Sequence, residues 1–164
     1  MYLLPARPDL RPALKTFLES RNSVRVARRG VVIDALEHPA VSAWADDRLH
    51  GVATYVVEGT DCEVLTLHAV TSRMGVGTGL LAEVESTARA AGCERLWVVT
   101  TNDNVDALRF YQRRGFRLVA LRPGAVDMSR ERLKPEIPRI GAHQIPLHDE
   151  LELELSLVSR GFMR

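Results

Sequence analysis

Little in this chain marks an extracellular, membrane-bound or metal-held protein. Only two cysteines occur, Cys62 and Cys93, too few for a disulfide framework and without metal-ligand spacing. Each stands at the start of a segment with strand character, so both are expected to be buried thiols in a reducing cytoplasm. No apolar run is long enough to span a bilayer, and Met1-Tyr2-Leu3-Leu4-Pro5-Ala6-Arg7 lacks the build of a signal peptide. A cytoplasmic location without a membrane partner is the expectation. Charge of one sign is missing too: 22 Lys and Arg against 21 Asp and Glu leave a net +1. That balance gives no reason to expect nucleic acid or an acidic surface as partner. Internal repeats and low-complexity tracts are absent.

What remains is an ordinary globular composition, 46% hydrophobic and 26% charged over 164 residues, which fits a single domain spanning residues 1–164. Its most informative stretch is Ser72-Arg73-Met74-Gly75-Val76-Gly77-Thr78-Gly79-Leu80-Leu81. A strand-like run, Cys62 to Val70, precedes it, and Leu80, Leu81, Val84, Ala88 and Ala91 follow at helical spacing. Strand, glycine loop and helix together aim unpaired N–H groups at one point, where the helix macrodipole favours an anion. Glycine lets the backbone come close to a phosphate. The loop is neither a dinucleotide fingerprint, whose third glycine would fall at Leu80, nor a Walker loop, which needs a lysine.

A second motif lies downstream, Asn104-Val105-Asp106-Ala107-Leu108-Arg109-Phe110-Tyr111-Gln112-Arg113-Arg114-Gly115-Phe116. Asn104, Ala107 and Tyr111 are spaced three and four apart and share one helix face. Gly-Val-Gly-Thr-Gly-Leu-Leu resembles the acyl-CoA pyrophosphate loop of the GNAT N-acetyltransferases. The second motif is similar to that family's signature of Asn, Ala, Tyr and Gly-Phe at the same intervals. One departure is Ser72, where arginine or glutamine is usual; Arg73 comes one place late. The resemblance covers residues 40 to 120 well and the two ends poorly.

The rest of the chain reads as follows. Residues 8 to 20 carry the apolar stripe of a helix, Leu10, Ala13, Leu14, Phe17 and Leu18, and a first strand at Tyr2-Leu3-Leu4 is short or missing. Residues 21 to 39 give no clear pattern. Val41–Ala45, Gly51–Val57 and Glu63–Val70 form a strand meander, 79–91 a helix and Arg95–Thr100 a strand parallel to its predecessor. The second motif helix ends at Gly115, Phe116–Leu121 returns as a strand and Ala125–Leu133 forms a short helix. After a loop with Pro135, Pro138 and Pro146, residues 150–157 alternate strictly, as in a half-exposed antiparallel strand. The resemblance implies a mixed α/β (α+β) GNAT fold, a central sheet of six to seven strands with helices on both faces.

It also implies acetyl transfer from acetyl-CoA, as cosubstrate and without a metal, to a primary amine of a small molecule or protein. The cofactor-binding positions carried over are Arg73, Met74, Gly75, Val76, Gly77, Thr78 and Gly79 for the pyrophosphate. Leu67, His68 and Ala69 would hold the pantetheine arm. The N–H of Leu67 or of Ala69 would polarise the thioester, depending on which of two alignments holds. Asn104 and Ala107 would face the arm, though Asn104 is equally suited to cap its helix. Tyr111 is the general-acid candidate, its alternative being a core aromatic. Glu63 is the general-base candidate and His68 its rival. Asp61 reads as turn chemistry, and Glu150, Glu152 and Glu154 as a solvated strand face. Residues 134–148 are expected to line the acceptor pocket through Glu136, His143 and His148. An idle CoA-binding or protein-interaction module is the alternative reading, and a homodimer is left open.

Overall fold

In the computed structural model, which describes residues 1–70 and 75–158, the meander that the alternation predicts is the centre of the molecule. Strands β4 (Ala40–Ala45), β5 (Arg48–Glu58) and β6 (Asp61–Ala69) pair antiparallel. The first strand is short but present: β1 (Tyr2–Pro5) adds to the outer edge of β4. Beyond β6 the chain crosses through α2 (Val76–Ala90) to β7 (Arg95–Thr101), which lies parallel to β6. Helix α3 (Val105–Gln112), strand β8 (Arg117–Arg122), helix α4 (Ala125–Arg132) and strand β9 (Glu150–Ser156) complete it. The seven-stranded sheet runs β1-β4-β5-β6-β7-β9-β8.

Alternation along the strands sends apolar side chains to two cores. Val41, Ala53, Cys62, Val64 and Leu96 face α2, whose Leu80, Leu81, Val84 and Ala88 are buried against them. Ala40 and Val52 point the other way and pack with Leu14, Phe17 and Leu18 of α1 (Arg11–Glu19). Helices therefore cover both faces of the sheet. Cys62 and Cys93 are both buried and free, and burial pushes the Cys62 thiol up to about 12. Among the described residues no helix is long and apolar enough to cross a membrane.

Two parts of the chain depart from the sequence reading. The illegible segment 21–39 forms a small hairpin of its own, β2 (Arg25–Arg28) with β3 (Val31–Asp34), outside the main sheet. The final strand is not an exposed edge: β9 is inserted between β7 and β8 and paired along both edges, with Glu150, Glu152 and Leu153 buried. Leu153 enters the helix-side core, while Glu150 and Glu152 are 2% and 5% exposed on the opposite face. That face is lined with arginine rather than water. Arg95 bonds Asp61, Glu152 and Glu154, and Arg122 donates to Glu152 at 2.5 Å.

Candidate active site

The site begins where β6 and β7 part company. Their pairing runs from Asp61–Arg95 to Val64–Val98 and stops, although β6 continues to Ala69 and β7 to Thr101. On its other edge β6 is paired with β5, but Thr54 lies opposite Thr66 and Tyr55 opposite Val64, so Leu65 is the extra residue of a bulge. A bulge bends its strand and increases the local twist. Here it falls at the point of divergence, leaving the β7-facing backbone of residues 65–69 without a strand partner.

Two cavities of about 370 and 380 Å³ meet in the opening. Leu67, His68, Asn104, Ala107 and Tyr111 line both. The first cavity lies toward the start of α2, with Gly75, Gly77, Thr78, Phe110 and Arg114 on its walls. Gly75 precedes the helix at φ 70°, a left-handed conformation that favours glycine. Val76, Gly77 and Thr78 form the first turn, whose N–H groups have no intrahelical acceptors, and Gly79 closes it by donating to Gly75 at 2.9 Å. The helix thus starts three residues earlier than the apolar spacing suggests. A Cβ on Gly77 would stand 3.3 Å from the Phe110 ring, so glycine here lets α2 and α3 approach. The side chain of Val76 is buried in the core and serves packing. Arg73 and Met74, like Ser72, lie outside the described residues.

Sequence reasoning missed Arg114. Its guanidinium stacks 3.6 Å from the centre of the Phe110 ring, donates to the Phe110 carbonyl at 2.8 Å and reaches the Thr78 hydroxyl. Its Nε is buried without a partner. A cation thus stands beside the free N–H groups of α2, held by its stem. The only signal was its place three residues beyond Tyr111, in the turn that follows a helix already aimed at the loop.

Helix α3 brings Asn104, Ala107 and Tyr111 to the junction of the cavities. The Asn104 Oδ1 accepts the Ala107 N–H at 3.1 Å, so Asn104 does cap the helix while also facing the cleft. Tyr111 is 4% exposed, packed edge-on to Phe110 and tilted against Phe116. Burial holds its phenol well above the ordinary tyrosine value, so it stays protonated at neutral pH. Among the described residues no hydrogen bond ties its hydroxyl down. His68 is also at the junction, with Nε2 2.8 Å from the Ser23 hydroxyl. Burial, helped by the Arg21 charge, lowers the imidazole to about 4 and leaves it neutral.

Glu63 is elsewhere. It precedes the bulge, where β6 is still paired with β7, and is 4% exposed. Both its oxygens are taken by Arg28 of the hairpin, at 2.7 and 2.5 Å, and it lines neither cavity. The arrangement is that of a structural ion pair.

The second cavity lies on the hairpin side, walled by residues 21–27, the parted ends of β6 and β7, Val126 and Ser129 of α4, and Glu150. The loop 134–148 does border it, but through Lys134, Ile137 and Leu147. The three polar contacts expected of the loop are turned away. His143 is 2.8 Å from Asp106, His148 is 2.8 Å from Asp127, and Glu136 is 4.0 Å from Arg25. The loop is held in place by Arg130, which donates to the carbonyls of Ile137, Pro138 and Leu147. The buried Lys134 ammonium reaches back to the carbonyls of Asn22 and Arg25 at 2.7 and 2.6 Å. Among the described residues no group of three His, Cys, Asp or Glu could hold a metal ion.

Residues 8–116 match the Acetyltransferase (GNAT) family. An uncharacterised Bacillus subtilis (strain 168) protein, YdhI, is 46% identical over 101 residues, 62% of this chain and 62% of its own length. The match therefore spans less than two thirds of that relative. Among solved structures, a Bacillus subtilis acetyltransferase in complex with CoA superposes with a TM-score of 0.67 at 18% identity, covering 95% of this chain and 98% of the other. A GNAT family acetyltransferase from Elizabethkingia anophelis with acetyl-CoA bound gives the same score and identity over 95% and 97%. At such identities the likeness is one of fold.

Proposed function

The chain belongs to the GNAT acetyltransferase family, and from that premise we propose that it transfers an acetyl group from acetyl-CoA to a primary amine. The observation that carries this reading is the meeting of two cavities at Tyr111, Leu67 and His68. A group-transfer enzyme needs separate donor and acceptor spaces that share one reacting point.

The residues present fit the donor. N–H groups of Val76, Gly77 and Thr78 and the Arg114 guanidinium suit a pyrophosphate. The unpaired edge of Leu67, His68 and Ala69 suits the amide-rich pantetheine arm as an added strand. Acetyl-CoA supplies the activated acyl group. The N–H of Leu67 or Ala69 polarises its carbonyl, and Tyr111 gives a proton to the departing sulfur. The acceptor amine occupies the second cavity, bounded by the hairpin and the loop 134–148.

A panel of primary amines, small molecules and peptides with free amino termini, tests the reading by release of free CoA thiol from acetyl-CoA. Turnover with at least one amine is expected. Tight acetyl-CoA binding with no amine-dependent thiol release would return the chain to an idle binding module.

A further inference from the structure

We propose that Glu150 is the carboxylate that binds the acceptor's ammonium group and accepts its first proton. This rests on the acetyltransferase reading and adds to it the base and the charge class of the acceptor. Among the described residues Glu150 is the only acidic side chain lining the second cavity, which it shares with Tyr111 and His68. It opens β9, opposite Thr101 on one side and Arg122 on the other, and is 2% exposed. Among the described residues its oxygens accept a single donor, the backbone N–H of Arg29, at 3.1 and 3.2 Å.

The neighbouring carboxylates are treated differently. Glu63 is clasped by Arg28, and Glu152 by Arg95 and Arg122. Among the described residues no cation stands within ion-pair distance of Glu150. Burying a carboxylate with one hydrogen bond and no counter-ion is costly. An arriving ammonium removes that cost by supplying both charge and donors. The other charged groups on the cavity wall, Arg21, Arg25 and Lys134, are all positive. An acceptor with one ammonium suits this wall, and a polyamine does not.

The transfer then balances. The ammonium gives one proton to the Glu150 carboxylate, and the freed lone pair forms the N–C bond to the acetyl carbon. The C–S bond breaks, and the sulfur takes the phenolic proton of Tyr111. The nitrogen's second proton restores the phenol, and Glu150 returns its own to solvent. Amine acetylation thus ends in amide, thiol and one released proton.

Burial raises the Glu150 carboxyl above the ordinary glutamate value, against the pull of the Arg29 N–H and the charges of Arg122, Arg28 and Arg29. The other charged groups around it are Glu152 on the same strand, Arg21, Arg25 and Lys134 on the cavity wall, and Arg132 of α4. A base must be deprotonated to act. The kcat/KM for the amine therefore falls on the acid side, at a pH above that of an unburied glutamate.

Glu150→Gln tests this, since glutamine can still accept the Arg29 N–H. Acetyl-CoA affinity should be unchanged, kcat/KM for a monoamine should drop about 100-fold or more, and the acid limb should disappear. Glu150→Asp should keep the limb with partial activity. Folding gives a readout that a structural role would move the other way. A carboxyl whose folded value is raised binds its proton more tightly in the folded state. Stability is then lost as pH rises through that value, so Glu150→Gln should be at least as stable as the parent at neutral pH. Activity within twofold of the parent, marked destabilisation, preference for a polyamine, or an acid limb removed by His68→Gln instead would each overturn the assignment. Absence of turnover by the parent with every amine overturns the acetyltransferase reading itself. A working parent with an unaffected Glu150→Gln overturns only this inference.

Discussion

The two halves of the cleft are built from different materials. The half proposed for the donor is mostly backbone: free N–H groups at the start of α2, an unpaired strand edge along 65–69, and one arginine held over a phenyl ring. The half proposed for the acceptor is side chain: a buried carboxylate, a buried lysine spent on two carbonyls, and a neutral histidine. Backbone donors recognise what every acyl-CoA has in common, and side chains can be exchanged one by one to suit a particular amine. The difference predicts that damage to the donor half abolishes activity toward all acceptors. Damage to the acceptor half should alter which amine is used and at what pH.

The sharpest way to break the donor half is Gly77→Asp. It sets a negative charge among the N–H groups that face the cavity, with a Cβ 3.3 Å from Phe110. Loss of measurable acetyl-CoA binding by calorimetry is expected, with the fold retained by circular dichroism, since an acidic residue near a helix N-terminus favours the helix. Binding at the parent's affinity would mean that the first cavity is not the donor site.

A smaller effect comes from Arg114→Ala. A charge-assisted hydrogen bond contributes about 1.5–3 kcal/mol at most, and this guanidinium is partly exposed. Acetyl-CoA affinity should fall about tenfold, more at low salt than at high, without a change in acceptor preference. A shift in acceptor preference instead would erase the division between the halves.

The same division explains what could be read from the sequence. The half proposed for the donor could be read because its parts are local: glycines and leucines within one turn, and Asn104, Ala107 and Tyr111 on one short helix. The sheet was legible for a similar reason, since Val41–Ala45, Gly51–Val57 and Glu63–Val70 each carry their alternation within themselves. The acceptor half is assembled from residues 21–27, 134, 137, 147 and 150, far apart in the chain. Strict alternation in 150–157 reads the same whether the polar face meets water or arginine, so Glu150 and Glu152 passed as surface. Glu63 sits where the family resemblance asked for a base, but its fate depends on Arg28, thirty-five residues away. The hairpin β2–β3 escaped notice because its strands have only four residues each, and β2 carries arginines at both ends, too little pattern to read.

The central claim is that both halves serve one reaction at Tyr111, the buried phenol they share. Single-turnover acetyl transfer by Tyr111→Phe tests it most directly, with acetyl-CoA affinity measured on the same sample. Phenylalanine keeps the packing against Phe110 and Phe116 and removes only the proton. The account predicts a fall of about 100- to 10,000-fold in the rate of transfer, with acetyl-CoA affinity close to that of the parent. An unchanged transfer rate would contradict it and leave Tyr111 as a core aromatic between two unrelated cavities.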